Sequence, residues 1–457
     1  MQRKLGLIGM LVVFASTMLV AQTPTQRMLD LWLQAFNSGD RAKLTTFWNT
    51  YNPQWPQIDR ELHVRKESGG LTLMKVISDD GTRLEAVVAD AGEMFLGLSV
   101  EMQLVDPPKL DRIVLHGVPT QDGIVEPFAS DRELVKGVKA RVDSLAAAGK
   151  FSGTVIIARN GRVLMQAACG EAERASHKRV NLDTQFRIGS MNKMFTAVAV
   201  LQLIEQKKLS LDGTVGDYWL DYPNRDVATK VTIRHLLTHT AGTGDIFTPE
   251  FNEHRLQIQT LNDYAKLYGT RALEFEPGSQ FRYSNYGFLL LGILIERVSG
   301  VSYYDYMQKN IYEPAGMNST GSLPEGEPVP GRATGYLPGK AGWEPNTDTL
   351  PWRGTSAGGG YSTVGDLVKF AAALEHGKLL NAHWLAEATR EQTPNSKYGF
   401  GFEAQSSYFG HSGAAPGING ELRIYPKTEH VIAVLSNLEP PSAMQVAAFS
   451  GHRLPAR

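Results

Sequence analysis

The sequence predicts a mixed α/β (α+β) protein of two domains: a small domain of helices followed by strands, and a larger domain whose sheet joins distant segments. Helical spacing near the N-terminus gives way to four runs of alternating or β-rich residues before residue 118. In the rest of the chain, strand patterns stand at both ends with helices between them. A length of 457 residues is enough for two such domains.

The small domain is predicted to span residues 22–118. Apolar residues recur at helical spacing from Gln26 to Gly39, and a second helix is expected from Asp40 to Tyr51. Four strand runs follow, with a turn at Asp80-Gly81 after the first: LTLMKVIS, TRLEAVVA, MFLGLSVEMQL and LDRIVLHGV. This layout resembles the cone-shaped nuclear-transport-factor-2-like fold. Residues 119–130 carry Pro, Gly and Asp without periodicity and are predicted to be a linker.

The N-terminus has the pattern of a secretory signal peptide over residues 1–21. Two cations precede an apolar run from Leu5 to Val20, and cleavage is expected after Ala21. We therefore expect a secreted or periplasmic protein. The alternative is a retained membrane anchor, because the run is only a little shorter than a membrane span and Leu19 is unusual beside a cleavage site.

Composition excludes several kinds of partner. The 46 Lys and Arg residues balance 47 Asp and Glu residues, so no net field attracts nucleic acid or an anionic membrane. The expected partners are small-molecule esters, amides or peptides, and the oligomeric state is left open. Cys169 is the only cysteine in the sequence and cannot form an intrachain disulfide, so the core must supply the stability.

The larger domain, residues 131–457, begins with a helical pattern from Asp131 and then a predicted β-hairpin. Asn160-Gly161 separates two strand runs and is a strong signal for a hairpin turn. A long region of helices and loops extends to about Gly354, and strand patterns return at YGFGFEA, GELRIYP and VIAVLSN. The strands at the two ends are expected to join in one sheet, with the helical region beside it.

The segment QFRIGSMNKMFTAVAVLQLIE places Ser190 and Lys193 where a short strand turns into a helical pattern. The spacing of Met194, Val198 and Leu201 predicts an amphipathic helix that begins at or just after Ser190. Residues three apart share a helix face, so the Lys193 amine is expected one turn from the Ser190 hydroxyl. Burial and the positive end of the helix would lower the lysine pKa, which gives a nucleophile with an adjacent base. Taken alone, however, Ser190 and Lys193 fit a helix-capping serine and a solvated lysine better than a nucleophile and its base.

Two further segments change that interpretation. PGSQFRYSNYGF places Tyr283 and Asn285 in a polar loop before an apolar helix, and YFGHSGAAPG places His411, Ser412 and Gly413 at the end of a strand-like run. In this order, together with S-x-x-K, they resemble the signature trio of the serine β-lactamase and penicillin-binding-protein family: S-x-x-K, Y-x-N and a variant of K-T-G. The resemblance covers nearly the whole larger domain.

The resemblance implies a five-stranded antiparallel sheet flanked by helices, a helical subdomain, and a site at their interface. Ser190 would be the nucleophile that is acylated by an ester or amide. Lys193 and Tyr283 would share the general-base role, with Tyr283 protonating the leaving group and later activating water. This scheme needs cationic or hydrogen-bonding neighbours that lower the phenol pKa. Asn285 would hold the substrate amide or the lysine, and the backbone N–H groups of Ser190 and Ala414 would form the oxyanion hole. No metal or cofactor is implied.

His411 stands where the K-T-G motif has lysine, and it departs from the family pattern. With Ser412, Gly413 and Ala414 it would form the substrate-binding strand. A neutral imidazole is a weaker anchor for a substrate carboxylate than an ammonium group. The resemblance therefore favours an esterase or peptidase, as in the class C-like branch with Y-x-N and H-x-G, over efficient binding of β-lactams.

A competing nucleophile lies in RGTSAGGGYSTVGD. Ser356 is the serine of a literal G-x-S-x-G motif, as in the nucleophile elbow of α/β-hydrolases. Its partners would be Asp366 or Glu403 with His411 or His430. Ser190 is favoured because the run before Ser356 is a weak strand and the sequence has no H-G-G-G segment.

The sequence also allows a metal site or a non-catalytic binding protein, and it favours neither. His235 and His239 are four residues apart and could face one metal ion, but no H-E-x-x-H motif or third ligand is evident, and hydrogen-bonded structural histidines fit better. A binding protein that keeps the fold without catalysis is disfavoured, because every side chain needed for acylation is present.

Overall fold

The computed structural model describes residues 22–55, 57–116, 124–340 and 342–455. The predicted signal peptide, residues 1–21, lies outside the described residues, as does much of the predicted linker. The chain divides into two compact units, Met1–Ile124 and Val125–Arg457, and the division falls inside the stretch predicted to be a linker.

In the first unit, three helices precede a four-stranded antiparallel sheet. The helices are α1 (Pro24–Ser38), α2 (Arg41–Tyr51) and α3 (Ile58–Ser68), and the strands, paired in sequence order, are β1 (Leu71–Asp79), β2 (Arg83–Asp90), β3 (Phe95–Gln103) and β4 (Lys109–His116). The order of helices and then strands is as predicted. Helix α3 was not predicted, because none of its described side chains is fully buried and its sequence has no apolar stripe. The likeness to the nuclear-transport-factor-2-like fold stays a prediction.

The second unit begins with helix α4 (Asp131–Ala147) and a hairpin of β5 (Gly153–Arg159) and β6 (Arg162–Cys169). Asn160 and Gly161 both have positive φ, 53° and 73°, as the favoured two-residue hairpin turn requires. The predicted hairpin is therefore confirmed. Three short strands then lead to a 3-10 turn, Gly189–Met191, and to helix α5 (Asn192–Glu205); these strands are β7 (Glu171–Glu173), β8 (Lys178–Arg179) and β9 (Phe186–Arg187).

The helical region follows α5 and is closed by the last strands and a C-terminal helix. Its helices are α6 (Val215–Tyr218), α7 (Arg225–Lys230), α8 (Ile233–Leu237), α9 (Pro249–His254), α10 (Leu261–Tyr268), α11 (Asn285–Ser299), α12 (Tyr303–Met307) and α13 (Glu313–Ala315). After it come β10 (Tyr336–Gly339), β11 (Gly342–Pro345), β12 (Tyr361–Ser362), α14 (Val364–Glu375), α15 (Ala382–Thr389), β13 (Glu403–Ala404), β14 (Phe409–Ala415), β15 (Ile418–Tyr425), β16 (His430–Ser436) and α16 (Ser442–Gly451).

The main sheet joins strands from both ends of the unit, in the order β13-β14-β15-β16-β5-β6, and every pairing in it is antiparallel. Strand β16 lies beside β5, with Ala433 opposite Ile156. This is the sheet of distant segments that the sequence predicts. The five expected strands are present, and the two-residue strand β13 adds a sixth at one edge.

Helices cover both faces of the main sheet. Val155 and Ile157 belong to one buried cluster with α4 and α16, while Ile156 and Ala158 belong to another with α5, α11 and α14, as the alternation along a strand requires. The expectation of an amphipathic α5 is wrong. Nearly every residue from Asn192 to Leu203 is buried, because α5 runs through the core between the sheet and the helical region.

Among the described residues no single helix is long and apolar enough to cross a membrane. Helix α11 and the segment Tyr303–Ala315 reach that length and composition only as a pair, and they are bent by 82°.

Candidate active site

Ser190 lies in the 3-10 turn directly before the first residue of α5, so the predicted helix start is confirmed. Two glycines let strand β14 approach this turn. Gly189 has φ of +53°, and a Cβ atom there would lie 3.3 Å from the backbone nitrogen of Ala414. A Cβ atom on Gly413 would lie only 2.0 Å from the Ile188 carbonyl oxygen. The close approach places the backbone of Ala414 beside the Ser190 turn, where the resemblance expects an oxyanion hole.

Lys193 is fully buried and has three polar contacts at its amine. Its Nζ atom lies 3.3 Å from Ser190 Oγ and 2.7 Å from Asn285 Oδ1, and it also contacts the carbonyl oxygen of Ala357. Burial lowers the pKa of Lys193 to about 7, and the carboxylate of Asp245 opposes this shift. A large share of the lysine is therefore neutral near pH 7.

The contacts of the neutral amine determine the direction of its lone pair. Asn285 Oδ1 and the Ala357 carbonyl oxygen are acceptors, and they take the two N–H groups of a neutral amine. The lone pair of the amine then faces Ser190 Oγ, and the serine O–H donates a hydrogen bond to it. This is the arrangement that a general base for Ser190 requires.

Asp245 fixes the orientation of Asn285, and the sequence reasoning did not identify it. Its carboxylate accepts the Asn285 backbone N–H at 3.1 Å and the Asn285 side-chain N–H at 3.2 Å. With its Nδ2 atom held by the acid, the amide must present Oδ1 to Lys193. Asp245 stands in a glycine-rich loop forty residues before Asn285, so no short motif joins the two residues.

Tyr283 lies against both members of the pair. Its ring centre is 4.6 Å from Lys193 Nζ, and its hydroxyl is close enough to Ser190 for the serine to lower the phenol pKa. The ring of the buried His239 packs against Tyr283, with ring centres 4.2 Å apart. Burial raises the pKa of the Tyr283 phenol, and nearby Ser190 only partly offsets this. The environment thus does not supply the lowered phenol pKa that a base role for Tyr283 needs, which favours Lys193 as base and Tyr283 as proton donor.

The side chain of His411 is 3% exposed and packs against Tyr398, whose ring in turn contacts Tyr283. Its Nδ1 atom lies 2.6 Å from the Ser412 carbonyl oxygen, which can only accept, so Nδ1 carries the proton. Nε2 then accepts the hydroxyl hydrogen of Tyr398 at 2.9 Å. Burial lowers the His411 pKa, although the nearby Glu403 opposes this. Both ring nitrogens are thus engaged within the protein.

Ser412 is engaged in a similar way. Its Oγ atom donates to Glu403 Oε1 at 2.6 Å, and its backbone N–H donates to the same oxygen at 3.0 Å. The sequence predicts Glu403 only as a possible partner of Ser356. The structure instead places it beside Ser412 and His411, at the first residue of β13.

A cavity of about 330 Å³ opens beside Ser190 and is lined by Asn285 and Ala414 as well. Much of the remaining wall consists of apolar or aromatic side chains: Ile246, Phe247, Phe251, Tyr264, Leu350 and Ile418. Of the predicted site residues, Ser190, Asn285 and Ala414 thus share one cavity, Lys193 is buried beside Ser190, and His411 is buried against Tyr398 and is not part of the cavity lining.

Comparison with known proteins decides the family. The model of the Beta-lactamase family matches residues 138–453. The chain belongs to the β-lactamase family. Penicillin-binding protein 4* of Bacillus subtilis (strain 168) is 30% identical over 332 residues, which are 66% of this chain and 72% of that protein.

Solved structures support the same assignment. A penicillin binding protein from Bacillus halodurans is 32% identical, with a TM-score of 0.63, and the match covers 68% of this chain and 99% of that one. EstCE1, described as a hydrolase with promiscuous acyltransferase activity, is 25% identical, with a TM-score of 0.59 over 70% of this chain and 99% of its own. The chain is thus a member of a family of serine hydrolases.

The structure contradicts the alternative nucleophile. Ser356 is fully buried, and a Cβ atom on Gly292 of α11 would lie 2.3 Å from its Oγ. No substrate can reach this hydroxyl. The loop supports the β-lactamase-family site with its backbone instead. Its carbonyl oxygens at residues 355, 356 and 357 accept from Asn192, Thr196 and Lys193 of α5 respectively.

The two histidines of HLLTHTAG are structural. His235 Nδ1 accepts the Thr232 backbone N–H at 3.3 Å, and His239 Nδ1 accepts the Ser284 backbone N–H at 3.1 Å. Burial lowers the pKa of both rings. Over the described parts of the chain, no group of three or more His, Cys, Asp or Glu side chains could hold a metal ion.

Proposed function

We propose that this chain is a serine hydrolase that forms an acyl-enzyme at Ser190 and cleaves an ester or amide. The observation that carries the proposal is the buried Lys193 amine, with a pKa of about 7 and a lone pair directed at the Ser190 hydroxyl. The similarity to penicillin-binding proteins and to EstCE1, a hydrolase, supports the reaction class.

In acylation, Ser190 Oγ forms a bond to the substrate carbonyl carbon as its proton passes to Lys193 Nζ. The carbonyl oxygen takes the negative charge and is held by the backbone N–H groups of Ser190 and Ala414. Tyr283 then gives its hydroxyl proton to the departing alcohol or amine and recovers one from the Lys193 ammonium. The bond to the leaving group breaks, and the acyl-enzyme remains.

Deacylation repeats these steps with water as the nucleophile. Lys193 is neutral again and takes the proton of the attacking water, directly or through Tyr283. The oxyanion forms in the same place, and the ester bond to Ser190 Oγ breaks as the oxygen recovers its proton. The raised pKa of Tyr283 suits it to carry a proton between these groups without remaining ionised.

We also propose that the chain is exported and processed after Ala21. The support is the sequence pattern alone, two cations and then the apolar run Leu5–Val20. Sequencing the N-terminus of the protein recovered from a culture tests this. A mature chain that begins at Gln22 supports export with cleavage, and a chain that keeps the run in the membrane fraction contradicts it.

The acyl-enzyme is tested by intact-protein mass spectrometry after incubation with a fluorophosphonate probe, followed by peptide mapping. One adduct is expected, on Ser190. The variant Ser356→Ala serves as a matched control that keeps the full adduct. An adduct on any other serine, or none on a folded protein, would overturn the proposed function.

A further inference from the structure

The walls of the cavity beside Ser190 are apolar. Ile246, Phe251, Tyr264, Leu350 and Ile418 line it and are each less than a tenth exposed. Phe247 also lines the cavity but is 68% exposed, which places it at the mouth. The deep surface that a bound acyl group would contact is therefore hydrocarbon and aromatic ring.

The polar groups on the lining are all uncharged. Asn285 contributes an amide, Ser190 contributes the nucleophile, and hydroxyls come from Thr349, Thr355 and the phenol of Tyr264. Among the residues that the structure describes, no Lys, Arg, His, Asp or Glu lines this cavity. A charged substrate group placed there would lose its hydration without gaining a partner, which is strongly unfavourable.

The side chains of His411 and Ser412, on the adjoining strand, offer no anion site either. Both ring nitrogens of His411 are engaged, by Tyr398 and by the Ser412 carbonyl oxygen. The hydroxyl and backbone N–H of Ser412 both donate to the Glu403 carboxylate. Burial raises the pKa of Glu403, but neighbouring His411, the hydrogen bonds from Ser412 and the charge of Arg423 together lower it. The Glu403 carboxylate therefore keeps both Ser412 donors engaged.

We propose that the substrate of this site carries an uncharged, apolar acyl group, a medium-length alkyl chain or an aryl group, and no carboxylate on its acyl side. This inference rests on the proposed acyl-enzyme at Ser190 and specifies what Ser190 accepts. A cavity of about 330 Å³ is at the lower end of the usual range for small-molecule sites, which fits a single chain or ring better than a long peptide.

The test uses p-nitrophenyl esters of acetate, butyrate, hexanoate and octanoate with the full chain. Burial of each added methylene is expected to raise kcat/KM about fourfold until the cavity is filled. The mono-p-nitrophenyl ester of adipate has the hexanoate chain with a terminal carboxylate. We expect its kcat/KM to be at least about 100-fold below that of the hexanoate ester, because the carboxylate has no partner in the cavity.

Two threonines of one 3-10 turn, Thr347–Thr349, provide matched variants. Both are exposed, but only Thr349 lines the cavity. Thr349→Lys supplies an ammonium group that can pair with the adipate carboxylate. We expect it to lower the ratio of kcat/KM for the hexanoate ester to that for the adipate ester at least tenfold. Thr347→Lys adds the same charge outside the cavity and is expected to leave the preference unchanged.

Equal or better turnover of the adipate ester, no gain with chain length, or the same response in both threonine variants would overturn the inference. The proposed function would survive these results, because ester turnover and the Ser190 adduct would still be present. Absence of turnover of every ester, together with no adduct on Ser190, would overturn both.

Discussion

Two serines of this chain stand in recognised nucleophile motifs, and their surroundings differ in every respect that matters for chemistry. Ser190 opens onto a cavity of about 330 Å³ and has an amine of lowered pKa at 3.3 Å. Ser356 is fully buried against α11, and its hydroxyl has no hydrogen-bond partner among the described residues. The motif letters alone do not distinguish them; access to substrate and an adjacent base do.

The comparison also shows what the G-x-S-x-G loop contributes. The backbone carbonyl oxygens of the loop hold the first turns of α5, and one of them takes an N–H of Lys193. The loop therefore helps to position the base of the other serine. Substitutions at the two serines and their neighbours can therefore separate the role of a reacting serine from that of a supporting loop.

The largest expected effect is the loss of activity in Ser190→Ala. Removing the nucleophile should lower kcat by at least about 10⁴-fold, because no other serine lies at the amine. Ester hydrolysis and circular dichroism on the same sample measure activity and folding together. Ser356→Ala is the matched control and should keep activity within about twofold, since its hydroxyl touches no reacting atom. The reverse result, with activity lost only in Ser356→Ala, would exchange the roles of the two serines.

Lys193→Met should lower kcat by about 10³-fold, because it removes the base but keeps an apolar side chain of similar length in the core. In the wild-type enzyme, kcat/KM should rise with pH through about 7 as the ammonium loses its proton, and then level off. The residual activity of the variant should lack this rise. A wild-type profile that does not change between pH 6 and pH 8 would argue against Lys193 as the titrating base.

The same pKa makes the stability depend on pH in a defined direction. Because folding lowers the Lys193 pKa from 10.5 to about 7, the unfolded chain binds more protons between these values. The contribution of this group to the free energy of unfolding should therefore rise with pH across that window, by about 5 kcal/mol in total. Urea unfolding of wild type and Lys193→Met at several pH values measures it. Wild type and variant should differ in how steeply the free energy of unfolding changes with pH. This difference should disappear below pH 6, where Lys193 is protonated in both the folded and the unfolded wild-type chain.

Much of this site could be predicted from the sequence because its spacing is local. Ser190 and Lys193 are three residues apart across the 3-10 turn and the start of α5, and Tyr283 and Asn285 adjoin the start of another helix, so short motifs identify them. The Asn160-Gly161 hairpin could be predicted for the same reason, since both residues tolerate the positive φ that the turn needs.

The features of the site that the sequence does not predict are contacts between residues far apart in the chain. Asp245 reaches Asn285 only through tertiary structure, and Ala357 acts through a backbone carbonyl that no side-chain motif reveals. His411 was expected to face substrate from its place in a motif, whereas its ring is enclosed by Tyr398 and its own strand. The pKa of Lys193 is low because α5 is buried on all sides. The apolar spacing of the sequence predicts only one buried face.

Asp245→Asn should have a smaller effect than loss of Lys193. The loss of the carboxylate weakens the hydrogen bonds that orient Asn285, and a cost of about 1.5 kcal/mol corresponds to about a tenfold fall in kcat. It also removes the charge that raises the Lys193 pKa, so the rise of kcat/KM should move to lower pH. Asp212→Asn, at a side chain that is 81% exposed, should change neither quantity. If kcat falls but the rise of kcat/KM stays at the wild-type pH, Asp245 has only a structural role.

The smallest expected effect tests the supporting loop itself, through Gly292→Ala. The new Cβ atom would lie 2.3 Å from Ser356 Oγ and 2.8 Å from Leu261 Cδ1, so the core must shift at a cost of about 1–3 kcal/mol. Adding Ser356→Gly removes the closest contact and should recover part of that stability, a coupling that a double-mutant cycle in thermal unfolding measures. Activity per folded molecule should change little in the double variant, because the loop acts on Lys193 through carbonyl oxygens that both changes retain. Additive losses of stability, with no coupling, would mean that α11 and the loop are not packed as tightly as the structure shows.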